Sequence, residues 1–179
     1  ADVVPLDANN RILTWQGMSR IRAGKCRPGI KALLEVANRD PQKLAASDLG
    51  FALGPRLNAA GRLDDMSVGV ALLLCDNIGE ARVLANELDA LNQTRKEIEQ
   101  GMQVEALTLC EKLERSRDTL PGGLAMYHPE WHQGVVGILA SRIKERFHRP
   151  VIAFAPAGDG TLKGSGRSIQ GLHMRDALE

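Results

Sequence analysis

The chain has 179 residues, a formal net charge of +1, 44% apolar residues and only 3% aromatics. That length suffices for a real core in one or two domains, and the composition excludes a disordered polymer and a disulfide scaffold, while the charge excludes nothing. A nucleic-acid binder of this charge must gather its cations locally. Cys26, Cys75 and Cys110 form no CxxC pair, which predicts buried thiols in a reducing cytoplasm. No apolar run reaches the length of a membrane span. The chain starts with Ala1 rather than methionine, and its last residues read as a helix cut short, so a piece of a longer protein is expected.

In chain order, Ala1 to Leu6 reads as a strand ended by Pro5, with Asp2 at a position where a carboxylate can cap or bind metal. Asn9 or Asn10 can cap a helix to about Ala23. Between Arg11 and Lys31 lie six cations and no acid, equally suited to a solvated face and to polyphosphate. Pro28 opens a further helix. In the glycine- and alanine-rich run from Ser47 to Leu63, Arg56, Asn58 and Arg62 can offer forked donors to phosphate, or simply accompany tight helix packing. Val68 to Leu74 predicts a short buried helix.

From Asn77 to about Arg115 the sequence has no proline, and leucines, isoleucine and methionine recur at spacings of three, four and seven. A single helix of that length reaches roughly 60 Å. It is expected to join two bodies, with its polar middle, Asn92 to Glu97, covered by neither. A break near Gly101 is the alternative.

After Pro121 the composition changes. Leu124 to Tyr127 and Val151 to Ala155 read as strands around a helix from about Val135 to Phe147, a parallel β–loop–α–β unit. The intervening loop places His128 and His132 at a helix N-terminus, where an anion is favoured. Pro129 between them argues against a helical metal pair. Trp131 suits a core or a stacking base. Asp159-Gly160 predicts a hairpin turn, and Gly164-Ser165-Gly166-Arg167-Ser168 suits a phosphate held by backbone amides, hydroxyls and one arginine, or a flexible hairpin.

Three stretches together are specific: Gly54 to Arg62, His128 to Gly137, and Gly164 to Ser168. In this order they resemble the RecJ family of bacterial single-strand-specific DNA exonucleases, within the DHH phosphoesterases. The resemblance implies an α/β protein: the helical end of a DHH domain (residues 1–75), a long connecting helix (76–117) and the start of a mixed α/β DHHA1 domain (118–179). It implies 5′→3′ hydrolysis of single-stranded DNA to mononucleotides, in DNA repair and recombination, in a cleft that admits one strand. The cofactor implied is Mn2+ or Mg2+, in a two-metal site mostly outside this chain. Asp2 fits a catalytic metal ligand. Arg56, Asn58 and Arg62 fit one cleft wall, and His128, His132, Ser165, Arg167 and Ser168 fit the DNA-binding face of the DHHA1 domain.

The Asp-His-His triplet and the family's glycine-glycine-histidine stretch do not occur, so this chain alone is expected to be inactive. The implied partners are single-stranded DNA, a single-strand-binding protein and a helicase, with a monomeric, cytoplasmic, non-membrane protein. The rivals are a small-molecule or oligonucleotide phosphoesterase of the same superfamily and a catalytically dead DHH-fold replication scaffold. A DHHA1-type domain like that found with alanyl-tRNA synthetases is more distant, since it leaves the Arg56 motif unexplained.

Overall fold

The computed structural model describes residues 5–117, 120–158 and 160–179. It divides into two compact units, Ala1–Thr94 and Arg95–Glu179. Asp2, the expected strand at the start of the chain and Asp159 of the expected hairpin turn lie outside the described residues.

The first unit is helical. Helix α1 (Ala8–Arg22) is capped not by an asparagine but by Asp7, whose Oδ1 accepts the Asn10 N–H at 2.8 Å. An N-cap oxygen accepts from the second or third helical amide, and Asp7 is so placed for Asn10. Helix α2 (Pro28–Val36) begins with proline, which cannot donate and so costs nothing in the first turn. A 3-10 turn (Pro41–Lys43) follows. Next, α3 (Ala46–Asp48), a π-helical turn (Leu49–Leu53) and α4 (Gly54–Leu63) form one helical run, then α5 (Ser67–Leu74). Leu33, Leu34, Leu44, Leu53 and Leu72 are buried together with Leu88 of α6 (Ile78–Arg117).

Helix α5 is less buried than its apolar sequence predicts. Gly69 and Leu72 are buried, whereas Val70 and Leu74 are exposed. The helix packs on α2 and α4 and leaves its remaining face open. Buried Gly29 lets α2 and α5 meet closely: a Cβ there would lie 2.0 Å from the Leu72 carbonyl oxygen.

Helix α6 runs unbroken through Gly101. Asn77 caps it, its Oδ1 accepting the N–H groups of Gly79 (2.8 Å) and Glu80 (3.1 Å). Ala81, Ala85 and Leu88 are buried in its first half and Met102, Ala106 and Cys110 in its second. The expectation of an uncovered middle holds for Gln93, Thr94, Lys96 and Glu97, which are exposed, and fails for Asn92 and Arg95. Asn92 is 2% exposed, and the side chains of Arg95 and Glu99 are 12% exposed and paired with each other. Glu99 also accepts from Arg142 Nε at 3.3 Å. Charge at the middle of a helix therefore does not mean solvent there, because a partner from elsewhere in the chain can cover it.

The second unit carries a three-stranded sheet in the order β1-β2-β3: β1 (Leu124–Tyr127), β2 (Val151–Pro156) and β3 (Leu162–Arg167). Strands β1 and β2 are parallel, with Leu124 opposite Val151, and β2 and β3 antiparallel, with Ala153 opposite Ser165. Val151, Ala153 and Ala155 are buried at alternate positions, the period-two pattern of a strand with one covered face. Helix α7 (Val136–Phe147) packs on β2 and β3 and buries Val136, Leu139, Ala140 and Ile143. A short α8 (Met174–Leu178) follows.

Candidate nucleic-acid interface

In the first unit, three of the six cations from Arg11 to Lys31 are tied to the framework. Arg11 Nε donates to the Leu6 carbonyl at 2.9 Å, Arg22 Nε to that of Leu44 at 2.9 Å, and Arg27 pairs with Asp76 at 2.8 Å. Each arginine satisfies a carbonyl or carboxylate at a helix junction, which a composition count cannot show. Arg20, Lys25 and Lys31 stay exposed.

Arg56 is also drawn into the framework. Its Nε lies 2.7 Å from Asp89 Oδ1 on α6, its Nη1 donates to the Ala52 carbonyl at 2.7 Å, and its side chain is only 14% exposed. This differs from a fork held open toward a ligand, and it ties α4 to α6. Asn58 is half-buried and Arg62 exposed, both on α4. Nearby, Arg82 grips Glu35 with Nε (2.8 Å) and Nη2 (3.2 Å). That hydrogen bond holds the Glu35 carboxyl below its usual pKa and raises that of Arg82.

In the second unit, the loop between β1 and α7 holds both histidines. His132 Nδ1 accepts the Gly134 N–H at 3.1 Å, and His128 Nδ1 accepts that of Glu130 at 3.3 Å. An accepting Nδ1 puts the neutral ring's proton on Nε2, so each ring can offer an Nε2–H donor. Trp131 is 3% exposed, a core residue rather than a stacking platform. Its Nε1–H donates to Glu105 Oε2 on α6 at 2.8 Å, and the same oxygen lies 3.8 Å from His128 Nδ1. Glu105 thus anchors the histidine loop.

The Gly-Ser-Gly-Arg run is a strand rather than an amide cradle, since β3 pairs with β2 from Leu162 to Arg167. Alternation sends its two kinds of residue to opposite faces. Gly164 receives the Phe154 ring, which a Cβ there would meet at 2.6 Å, and Gly166 faces Met174 and Ile152. Ser165 and Arg167 point to α7. Arg167 Nε donates to Ser141 Oγ at 2.9 Å, and its Nη1 donates to Ser165 Oγ (3.0 Å) and the Gly166 carbonyl (2.7 Å). Ser168 is turned away, its hydroxyl donating to the Leu172 carbonyl.

The structure therefore brings Ser165 and Arg167 together and adds Ser141, which the sequence reading missed. Its signal was the Gly137–Ser141 pair, two small residues one turn apart on a helix face that must meet a strand. Among the described residues no group of three or more His, Cys, Asp or Glu could hold a metal ion. These residues thus do not fit the expected two-metal centre, and Asp2 lies outside them.

Residues 121–179, which hold the small sheet, the histidine loop and α7, match the model of the DHHA1 domain. Over its full length the chain is 99% identical to the single-stranded-DNA-specific exonuclease RecJ of Escherichia coli K12 and 36% identical, over 99% of its length, to that of Bacillus subtilis. The likeness to RecJ exonucleases runs through both units of the chain. It spans 31% of the length of the Escherichia coli relative and 22% of the Bacillus one. The crystal structure of RecJ from Thermus thermophilus in complex with Mg2+ matches 99% of the chain with a TM-score of 0.81 at 35% identity, covering 26% of that structure. A RecJ structure bound to manganese matches with a TM-score of 0.77 at 34% identity, covering 42% of that structure.

Proposed function

We propose that the chain is part of a metal-dependent, single-strand-specific 5′→3′ DNA exonuclease, and that the chain's own contribution is to hold the DNA backbone. The supporting observation is the 99% identity to a RecJ exonuclease across all 179 residues, in both units. In this reading residues 1–75 close the DHH domain, 76–117 connect and 118–179 open the DHHA1 domain.

The described residues do not complete a metal centre, so the chemistry assigned to them is binding. Arg167 and Ser165, with His128 and His132 as Nε2–H donors, would grip phosphate oxygens on the DHHA1 side. Arg62 and Asn58 would do so on the DHH side, with Arg56 and Ser168 supporting their surroundings. Asp2 would be a ligand to Mn2+ or Mg2+, which supply the hydrolytic chemistry when bound. Phosphate contacts carry no base information, so strand selection would rest on shape. The intact protein would act as a cytoplasmic monomer in repair and recombination, beside a single-strand-binding protein and a helicase.

The test compares hydrolysis of a long single strand, a duplex and a dinucleotide by the full-length protein with Mn2+. The expected result is strong preference for the long single strand. Equal or better use of the dinucleotide would favour the small-molecule phosphoesterase, and no hydrolysis of any would favour the scaffold. Asp2→Ala is expected to abolish turnover with Mn2+, and normal activity would remove Asp2 from the metal site.

A further inference from the structure

We infer that Gly137 and Ser141, one turn apart on α7, are positioning residues that seat the Arg167 guanidinium so that its Nη2 stays available to a DNA phosphate. The inference rests on the reading that Arg167 contacts the DNA backbone.

A guanidinium has five N–H donors. Arg167 commits three: Nε–H to Ser141, and both Nη1 hydrogens, to Ser165 and the Gly166 carbonyl. The two remaining donors are both on Nη2, which has no protein acceptor among the described residues. Nη2 lies against Gly137, where an added Cβ would come within 2.9 Å of it and within 3.0 Å of Ser165 Oγ. A side chain at 137 would therefore displace the guanidinium or the serine that holds it. Gly137 lies in the first turn of α7, where helical geometry has no need of glycine, so the demand comes from Arg167.

Ser141 supplies the second constraint. Its hydroxyl accepts from Arg167 and donates to the Gly137 carbonyl at 3.2 Å, which fixes the direction of its lone pair. Glycine, serine and arginine form one unit: the glycine makes room, the serine sets the angle and the arginine presents the two N–H donors of a single nitrogen. A phosphodiester oxygen matches those donors in charge.

The experiment measures equilibrium binding of the full-length protein to fluorescent oligo(dT) over a range of salt, without divalent metal. Ser141→Ala is expected to weaken binding about threefold to tenfold, the range for one lost hydrogen bond. Gly137→Ala should weaken it at least as much, and Ser141→Thr should bind as wild type. Loss of the Arg167 contact should lower the slope of log affinity against log salt by about one. A side chain important only for folding would not change that slope. In an Arg167→Ala background, Ser141→Ala should add nothing.

If Arg167→Ala itself binds as wild type, the DNA-backbone reading fails. If Arg167→Ala weakens binding while Ser141→Ala and Gly137→Ala do not, or if Ser141→Ala adds its full loss in the Arg167→Ala background, the seating inference fails alone. Should Gly137→Ala not fold, Ser141→Ala, Ser141→Thr and the double variant decide.

Discussion

Replacing Glu105 by alanine tests whether the histidine loop depends on α6. The Trp131 Nε1–H is buried and has Glu105 Oε2 as its acceptor at 2.8 Å. Removing a charged acceptor from a buried donor costs about 1.5–3 kcal/mol. The Glu105 side chain is 43% exposed, so water can reach part of the vacated space. That discount brings the expected loss to about 1–2 kcal/mol, with the unsatisfied indole as its main source. The assay is urea unfolding followed by Trp131 fluorescence in a Trp15→Phe background, since Trp15 is exposed and would add signal from the other unit. Glu105→Gln keeps a side-chain oxygen and should recover at least half of the loss. A Glu105→Ala unfolding free energy within about 0.5 kcal/mol of the parent would refute the reasoning, because surface changes alone produce that much.

Two glycines in helices should respond in opposite directions. Gly101→Ala in α6 meets nothing within 4 Å and should stabilise by about 1 kcal/mol, whereas Gly29→Ala puts its Cβ on the Leu72 carbonyl and should cost about 1–3 kcal/mol, both read by denaturant melts. Burial, with the Glu114 charge adding to it, pushes the Cys110 thiol up from 9.0 to about 11. Its folded pKa is raised, so its stabilising effect is complete below 9.0 and is lost as the unfolded thiol ionises between 9.0 and about 11. A pH series of melts should show an alkaline loss that Cys110→Ala reduces, and Cys26, half-buried, should be alkylated first. Arg56→Ala should destabilise the first unit by about 2 kcal/mol or more, since it leaves the Ala52 carbonyl without its donor and Asp89 without its ion-pair partner; a change below about 0.5 kcal/mol in urea melts would show the pair to be slack.

Local patterns in the sequence located the elements of the second unit well. Strand β1 starts and ends where the alternation of Leu124 and Met126 places it, and α7 is bounded by the Gly134 turn and by His148 at φ +52°, near the edges expected. Helix α6 was legible because nothing in forty residues interrupts it. What escaped was set by partners distant in sequence. Arg142, forty-three residues from Glu99, helps to cover that carboxylate on one side of α6. Asp89 claims Arg56, and Leu44 claims Arg22. A serine in mid-helix, such as Ser141, carries only the faint signal of a small neighbour one turn away until a strand brings an arginine to it. The glycines of β3 misled for a related reason, because small size permits a ligand and an aromatic ring equally well.

That last ambiguity has an evolutionary reading. Phe154 and Gly164 face each other in register and share a single allotment of volume, so neither position can drift alone. Homologous chains with a bulkier residue at 164 should carry a slimmer one at 154, and paired exchanges should be tolerated where either single exchange is not.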